Sequence, residues 1–65
     1  MKEFSKNLKT LRTKQGLSQK ELADQLHVER STVSGWETKD RVPDVEILIK
    51  LAAVLETTVD VLLKE

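Results

Sequence analysis

The stretch LSQKELADQLHVERSTVSGWE, residues 17–37, decides how this chain folds. Apolar residues recur at helical spacing on both sides of its centre: Leu22, Ala23 and Leu26 before it, Val33 and Trp36 after it. Between them, His27-Val28-Glu29 is too short for anything but a sharp corner. The stretch therefore predicts two short helices, over 19–26 and 30–38, meeting at a steep angle. That geometry lets a second helix enter a DNA major groove.

The flanks extend the helical pattern. Ser18 precedes the first of these helices and Glu21 lies three residues on, a capping box that satisfies two orphan amides. Upstream, a helix is expected over 4–15, with Phe4, Leu8 and Leu11 on one face and lysines on the other. Gly16 follows it and suits a left-handed terminal position. Downstream, Pro43 and Asp44 announce a helix over 45–55, capped by Asp44, with Val45, Leu48, Leu51, Ala52 and Leu55 pointing inward. Thr58 caps a last helix over 59–64 that buries Val59, Leu62 and, at the margin, Leu63. The β-branched residues fall at helical spacing without alternation, so no strand is expected. The predicted fold class is all-α: five helices in one domain over 1–65, with a helix-turn-helix over about 19–38.

Composition narrows the function. A chain of 65 residues buries only about 60% of its extended surface, so its stability should be near or below ~5 kcal/mol. There is no cysteine, and a single histidine, His27, cannot build a zinc site; neither metal nor cofactor is expected. No apolar run reaches the ~18 residues a membrane span needs, and the opening MKEFSKNLKT lacks the apolar core of a secretion signal. A cytoplasmic location is the expectation. There is no paired nucleophile and base, glycine-rich phosphate loop or metal-ligand cluster, so the chain does not read as an enzyme. Formal net charge is zero, unusual for a nucleic-acid binder. Its distribution is uneven: residues 1–20 hold six Lys or Arg against one acid, and residues 42–65 hold two against five. One end is thereby suited to face phosphates. The same counts also describe an ordinary solvated surface.

At these residues the chain resembles the lambda-repressor-like, or XRE-like, helix-turn-helix family of phage and bacterial regulators. The marks are Leu11-Arg12, the run Gly16-Leu17-Ser18-Gln19-x-Glu21-Leu22-Ala23, and Ser31-Thr32-Val33-Ser34-x-Trp36-Glu37. Pro43 and the closing Asp60-x-Leu62-Leu63 complete a match covering nearly the whole chain. The resemblance implies a compact five-helix DNA-binding domain whose third helix is the recognition helix. It implies that Gln19 sits on a phosphate, that Lys39 and Arg41 contact phosphates, and that Arg12 and Glu37 form an ion pair orienting the third helix. Free amides and the helix dipole at the starts of helices 2 and 3 would attract phosphate oxygens. Arg30, first in helix 3, can reach guanine in a bidentate pair; a phosphate contact or a pair with Glu29 is the competing reading. Ser31, Thr32 and Ser34 can meet phosphate or base edges, or simply make a polar helix surface. Gly35 stands where family members often carry a long polar side chain. It either permits close backbone approach or leaves a base unread. Trp36 reads as core.

Three positions depart from the family pattern, which usually has glycine where this chain has His27, Lys39 and Glu56. Either these residues accept a left-handed backbone at some cost, or the helices end differently. The leading expectation is a sequence-specific transcriptional regulator, a repressor binding a palindromic operator on double-stranded DNA as a homodimer. The alternative is a protein-interaction module of the same fold with little DNA affinity, favoured by zero net charge, Glu29 and Gly35. Ile47 and Val61 are apolar where the family is usually polar. Helical spacing puts neither with the core, which places dimer contacts near the last helix, unless both are stray exposed aliphatics.

Overall fold

Ser18 and Glu21 bond reciprocally, as the capping box requires. The Glu21 amide donates to the Ser18 hydroxyl at 3.0 Å, and the Ser18 amide donates to the Glu21 carboxylate at 2.8 Å. The computed structural model describes residues 2–39 and 41–65, Lys2 by its backbone alone. The described residues form five helices joined by short turns: α1 (Lys2–Lys14), α2 (Gln19–Leu26), α3 (Arg30–Thr38), α4 (Val45–Val54) and α5 (Val59–Leu63). Asp44 and Thr58 cap α4 and α5, accepting from the amides of Ile47 and Val61 at 3.0 and 3.1 Å. Helix α1 begins at Lys2, earlier than the apolar pattern indicates. Glu3 in its first turn complements the helix dipole and extends the helix beyond its first core residue.

Three helix ends share one backbone device. After α1 the amides of Gly16 and Leu17 reach back to the carbonyls of Thr13 and Arg12 at 2.9 and 3.1 Å. His27 and Val28 do the same to Asp24 and Ala23, and Glu56 and Thr57 to Ala53 and Ala52. This paired reach-back requires a left-handed residue at the corner. Gly16 supplies it at φ 73°, but His27 and Glu56 also adopt it, at 59° and 55°. Lys39 takes the other route: its φ is −108°, and α3 ends without a left-handed corner.

Phe4, Leu8, Leu22, Leu26, Val33, Trp36, Leu48, Leu51, Leu55 and Leu62 make one buried core. Helix α1 packs on α3 and α5, and α2 packs on α3 and α4. Two polar side chains of α1 tie distant elements to it. The buried Ser5 hydroxyl donates to the Trp36 carbonyl at 2.5 Å. The Asn7 amide donates to the carbonyls of Val61, Leu62 and Lys64, at 3.2, 2.9 and 2.7 Å, closing the end of α5.

Two expected side-chain placements differ. Val45 points outward and is 70% exposed, while Ile47 packs against the core. Val45 sits in the first turn of α4, four residues before Ile49, and the two share the helix's outer face. Ile47 lies four residues before the fully buried Leu51, on the inward side. Helix α4 ends at Val54, with buried Leu55 as its cap, and α5 ends at Leu63.

Candidate nucleic-acid interface

The corner at His27 brings the start of α3 beside the start of α2 and the end of α1. Four side chains from the three helices meet there. Arg12 donates from Nε and Nη2 to the two carboxylate oxygens of Glu37, at 2.6 and 3.0 Å, and from Nη1 to the Leu17 carbonyl at 2.7 Å. The Glu37 side chain is 2% exposed and that of Arg12 12%, so the forked pair is largely shielded from water. The hydrogen bonds to Glu37 hold the Arg12 guanidinium above its ordinary value, against the opposing cost of burial.

The pair continues outward. Gln19 donates from Nε2 to Glu37 Oε1 at 3.1 Å, and its own Oε1 accepts from Arg30 Nη1 at 3.0 Å. Both contacts use the Gln19 amide in one orientation: a donor toward the carboxylate, an acceptor toward the guanidinium. Arg30, exposed at the first position of α3, is thus held through Gln19 and Glu37 by Arg12 on α1. It bonds to Gln19 rather than to its neighbour Glu29. Residues 11 and 18 positions apart meet here, and no local sequence pattern announces such pairings.

The two helix starts differ. The capping box occupies the Glu21 amide of α2. Glu29, the cap residue of α3, makes no side-chain hydrogen bond to the helix amides. The start of α3 therefore keeps more of its donor capacity and positive dipole end available to an anion.

Farther along α3, Ser31, Thr32 and Gly35 line a half-open hollow of about 270 Å³ with Trp36, Lys39 and Arg41. Its lining on α3 consists of short residues and the buried Trp36. Lys39 and Arg41, both exposed, add two cations. Ser34 is half-buried beside this surface and does not line it; its carbonyl accepts from the Thr38 hydroxyl at 2.7 Å. The structure thus gathers the residues singled out in the sequence into two adjoining groups: Gln19 with Arg30 over the Arg12–Glu37 pair, and Ser31 and Thr32 with Lys39 and Arg41. Nothing in the sequence announces the double role of the Gln19 amide.

His27 is exposed at the corner, and among the described residues no group of three His, Cys, Asp or Glu is placed to hold a metal ion. No described helix is long and apolar enough to cross a membrane.

The family described as Helix-turn-helix matches residues 8–62. The chain is similar to the HTH-type transcriptional activator BcrR of Enterococcus faecalis, 39% identical over 61 residues that make up 94% of this chain and 30% of BcrR. It is 38% identical over 60 residues to the HTH-type transcriptional regulator ImmR of Bacillus subtilis, covering 92% of this chain and 47% of ImmR. The chain spans about a third to a half of the length of these curated relatives. Among solved structures it resembles the N-terminal DNA-binding domain of SinR from Bacillus subtilis, with 32% identity and a TM-score of 0.89 over 100% of this chain and 96% of that one. It also resembles the restriction-modification controller protein C.AhdI from Aeromonas hydrophila, at 36% identity and a TM-score of 0.84, covering 94% of this chain and 92% of that one.

Proposed function

The chain belongs to the XRE-like helix-turn-helix family, and from that premise we propose that it is a sequence-specific DNA-binding transcriptional regulator, a repressor on a two-fold operator. The observation that carries the reading is the braced Arg30. A long cation at the exposed start of α3 is held by Gln19, itself bonded to a shielded ion pair. A guanidinium fixed in this way suits bidentate reading of guanine O6 and N7 from the major groove. Gln19 keeps register on a phosphate, and Lys39 and Arg41 anchor the strand beyond the end of α3 without reading sequence. Ser31 and Thr32 meet the backbone or base edges between these anchors, with Ser34 at the margin.

Each copy would read one half-site, with the two half-sites about one helical turn apart. The contacts between copies lie near α5, where Val61 is 44% exposed. Such a surface is small, so DNA promotes pairing by holding two copies adjacent. Repression follows from occupancy, since a protein seated in the groove excludes other proteins from the same site. A second reading, a protein-interaction module, is favoured by zero net charge and by Glu29 at the start of α3.

Selection of binding sites from a random duplex pool separates the two. A regulator enriches a palindrome, and Arg30→Ala then relaxes preference at one base position of each half-site. An unenriched pool supports the interaction module.

A further inference from the structure

Gly35 has no reason inside the protein to be glycine. It lies in the interior of α3 with no left-handed backbone, and a Cβ built on it meets nothing within 4 Å. Glycine at such a position weakens a helix relative to alanine. Gly16 differs: its φ of 73° requires the residue. A locally unfavourable residue with neither conformational nor packing cause points to a demand from outside the fold.

The surroundings show what kind of demand. Gly35 lines the hollow with Ser31, Thr32, Lys39 and Arg41, one helical turn after Ser31 and one before Lys39. A residue without a side chain and two cations line the same hollow, a combination that lets a polyanion come close to the helix backbone. At Gly35 itself the surface offers no side-chain donor or acceptor. The major-groove feature that needs neither is the 5-methyl group of thymine, which is recognised by apolar contact.

We propose that Gly35 is a specificity-determining position that acts by lacking a side chain: it opens a notch on α3 that admits a thymine methyl group. This inference rests on the DNA-binding reading above. The alanine methyl would fill the notch from the protein side. Gly35→Ala therefore separates folding from binding, because the free protein has room for the added carbon and the complex does not.

The test uses Gly35→Ala, thermal melts, and a half-site selected with the wild-type chain. The melt of Gly35→Ala should rise by about 4–8 °C, the ordinary gain for replacing a helical glycine in a domain of this size. Its affinity for the selected site should fall about tenfold. Thymines of the half-site are then replaced singly by deoxyuridine, which removes only the methyl group. At one of them the wild type should lose several-fold in affinity and Gly35→Ala should lose almost nothing. If Gly35→Ala binds as tightly as wild type, or no thymine shows this difference, the notch is overturned while the DNA-binding reading stands. If the wild type enriches no sequence and binds no duplex, both are overturned together.

Discussion

Removing Glu37 is the perturbation whose consequences the structure fixes most closely. Glu37→Ala takes both carboxylate partners from Arg12 and the acceptor from the Gln19 amide. Arg12 would remain charged at 12% exposure, with the Leu17 carbonyl as its remaining bond. Breaking a buried pair from one side costs about 3–5 kcal/mol. The lower figure, about 3 kcal/mol, applies here because Arg12 retains that carbonyl and some water. In a domain of this size the loss corresponds to a fall in Tm of about 12–24 °C. The assay is a set of thermal melts of wild type, Arg12→Ala, Glu37→Ala and the double variant. The double variant should lose much less than the two single losses together, since removing both charges leaves none buried alone. If the single losses add to within about 0.5 kcal/mol, the two residues do not interact and the reasoning fails. A companion pair, Arg12→Met with Glu37→Leu, replaces the ions by apolar groups and should recover most of the Tm. It should still bind operator more weakly than wild type, because Gln19 has lost the acceptor that orients it toward Arg30.

Arg30→Ala should weaken specific binding by about 1–3 kcal/mol and random-duplex binding much less; equal losses on both would make Arg30 a phosphate contact. His27→Gly and Glu56→Gly should each raise stability by about 0.5–1 kcal/mol, the relief of a left-handed side chain less the added freedom of the unfolded glycine. Lys39→Gly should not, because its φ is already negative, and a stabilisation there measured by denaturant melts would contradict the helix end described. The Glu21 carboxyl is held below its ordinary value, first by the Ser18 amide and then by the Ser18 hydroxyl. Its contribution is therefore present at neutral pH and lost as pH falls through its lowered value, below 4.5, so the Tm gap between wild type and Glu21→Ala should close there. A gap that persists unchanged at the acid end would show that the charge of Glu21 does not matter. Val61→Lys should reduce the cooperativity of operator binding while leaving the folded monomer intact, measured by sedimentation with and without operator; unchanged cooperativity removes this surface from the dimer contact.

What the sequence disclosed, it disclosed through local rules. Ser18, Asp44 and Thr58 each stand immediately before an apolar helical period, and each caps the helix expected of it. That is why α2, α4 and α5 begin where their residues indicate. The two misplaced aliphatics, Val45 and Ile47, lie in the first turn of α4, where few neighbouring positions constrain the reading of the face. The non-glycine corners at His27 and Glu56 could be posed as alternatives but not resolved, because the hydrogen-bonded reach-back depends on where the next helix goes. At the candidate site the residue types were legible, and the Arg12–Glu37 pair through the family resemblance; the rest of the assembly was not. Nothing near Gln19 in the sequence says that its amide joins Glu37 to Arg30, and nothing near Asn7 says that it closes the end of α5. These contacts are set by the crossing of helices, which the tertiary packing decides.

The central claim is that this face of the molecule binds DNA, and the salt dependence of its affinity for duplex DNA tests it most directly. On the proposed reading Lys39 and Arg41 would contact phosphates from each of two copies, four contacts in all, so log affinity should fall against log salt with a slope of about −3.6 or steeper. Lys39→Ala with Arg41→Ala removes all four and should make that slope shallower by about 3.6. A slope near zero for the wild-type chain would contradict the claim and leave the fold serving another protein.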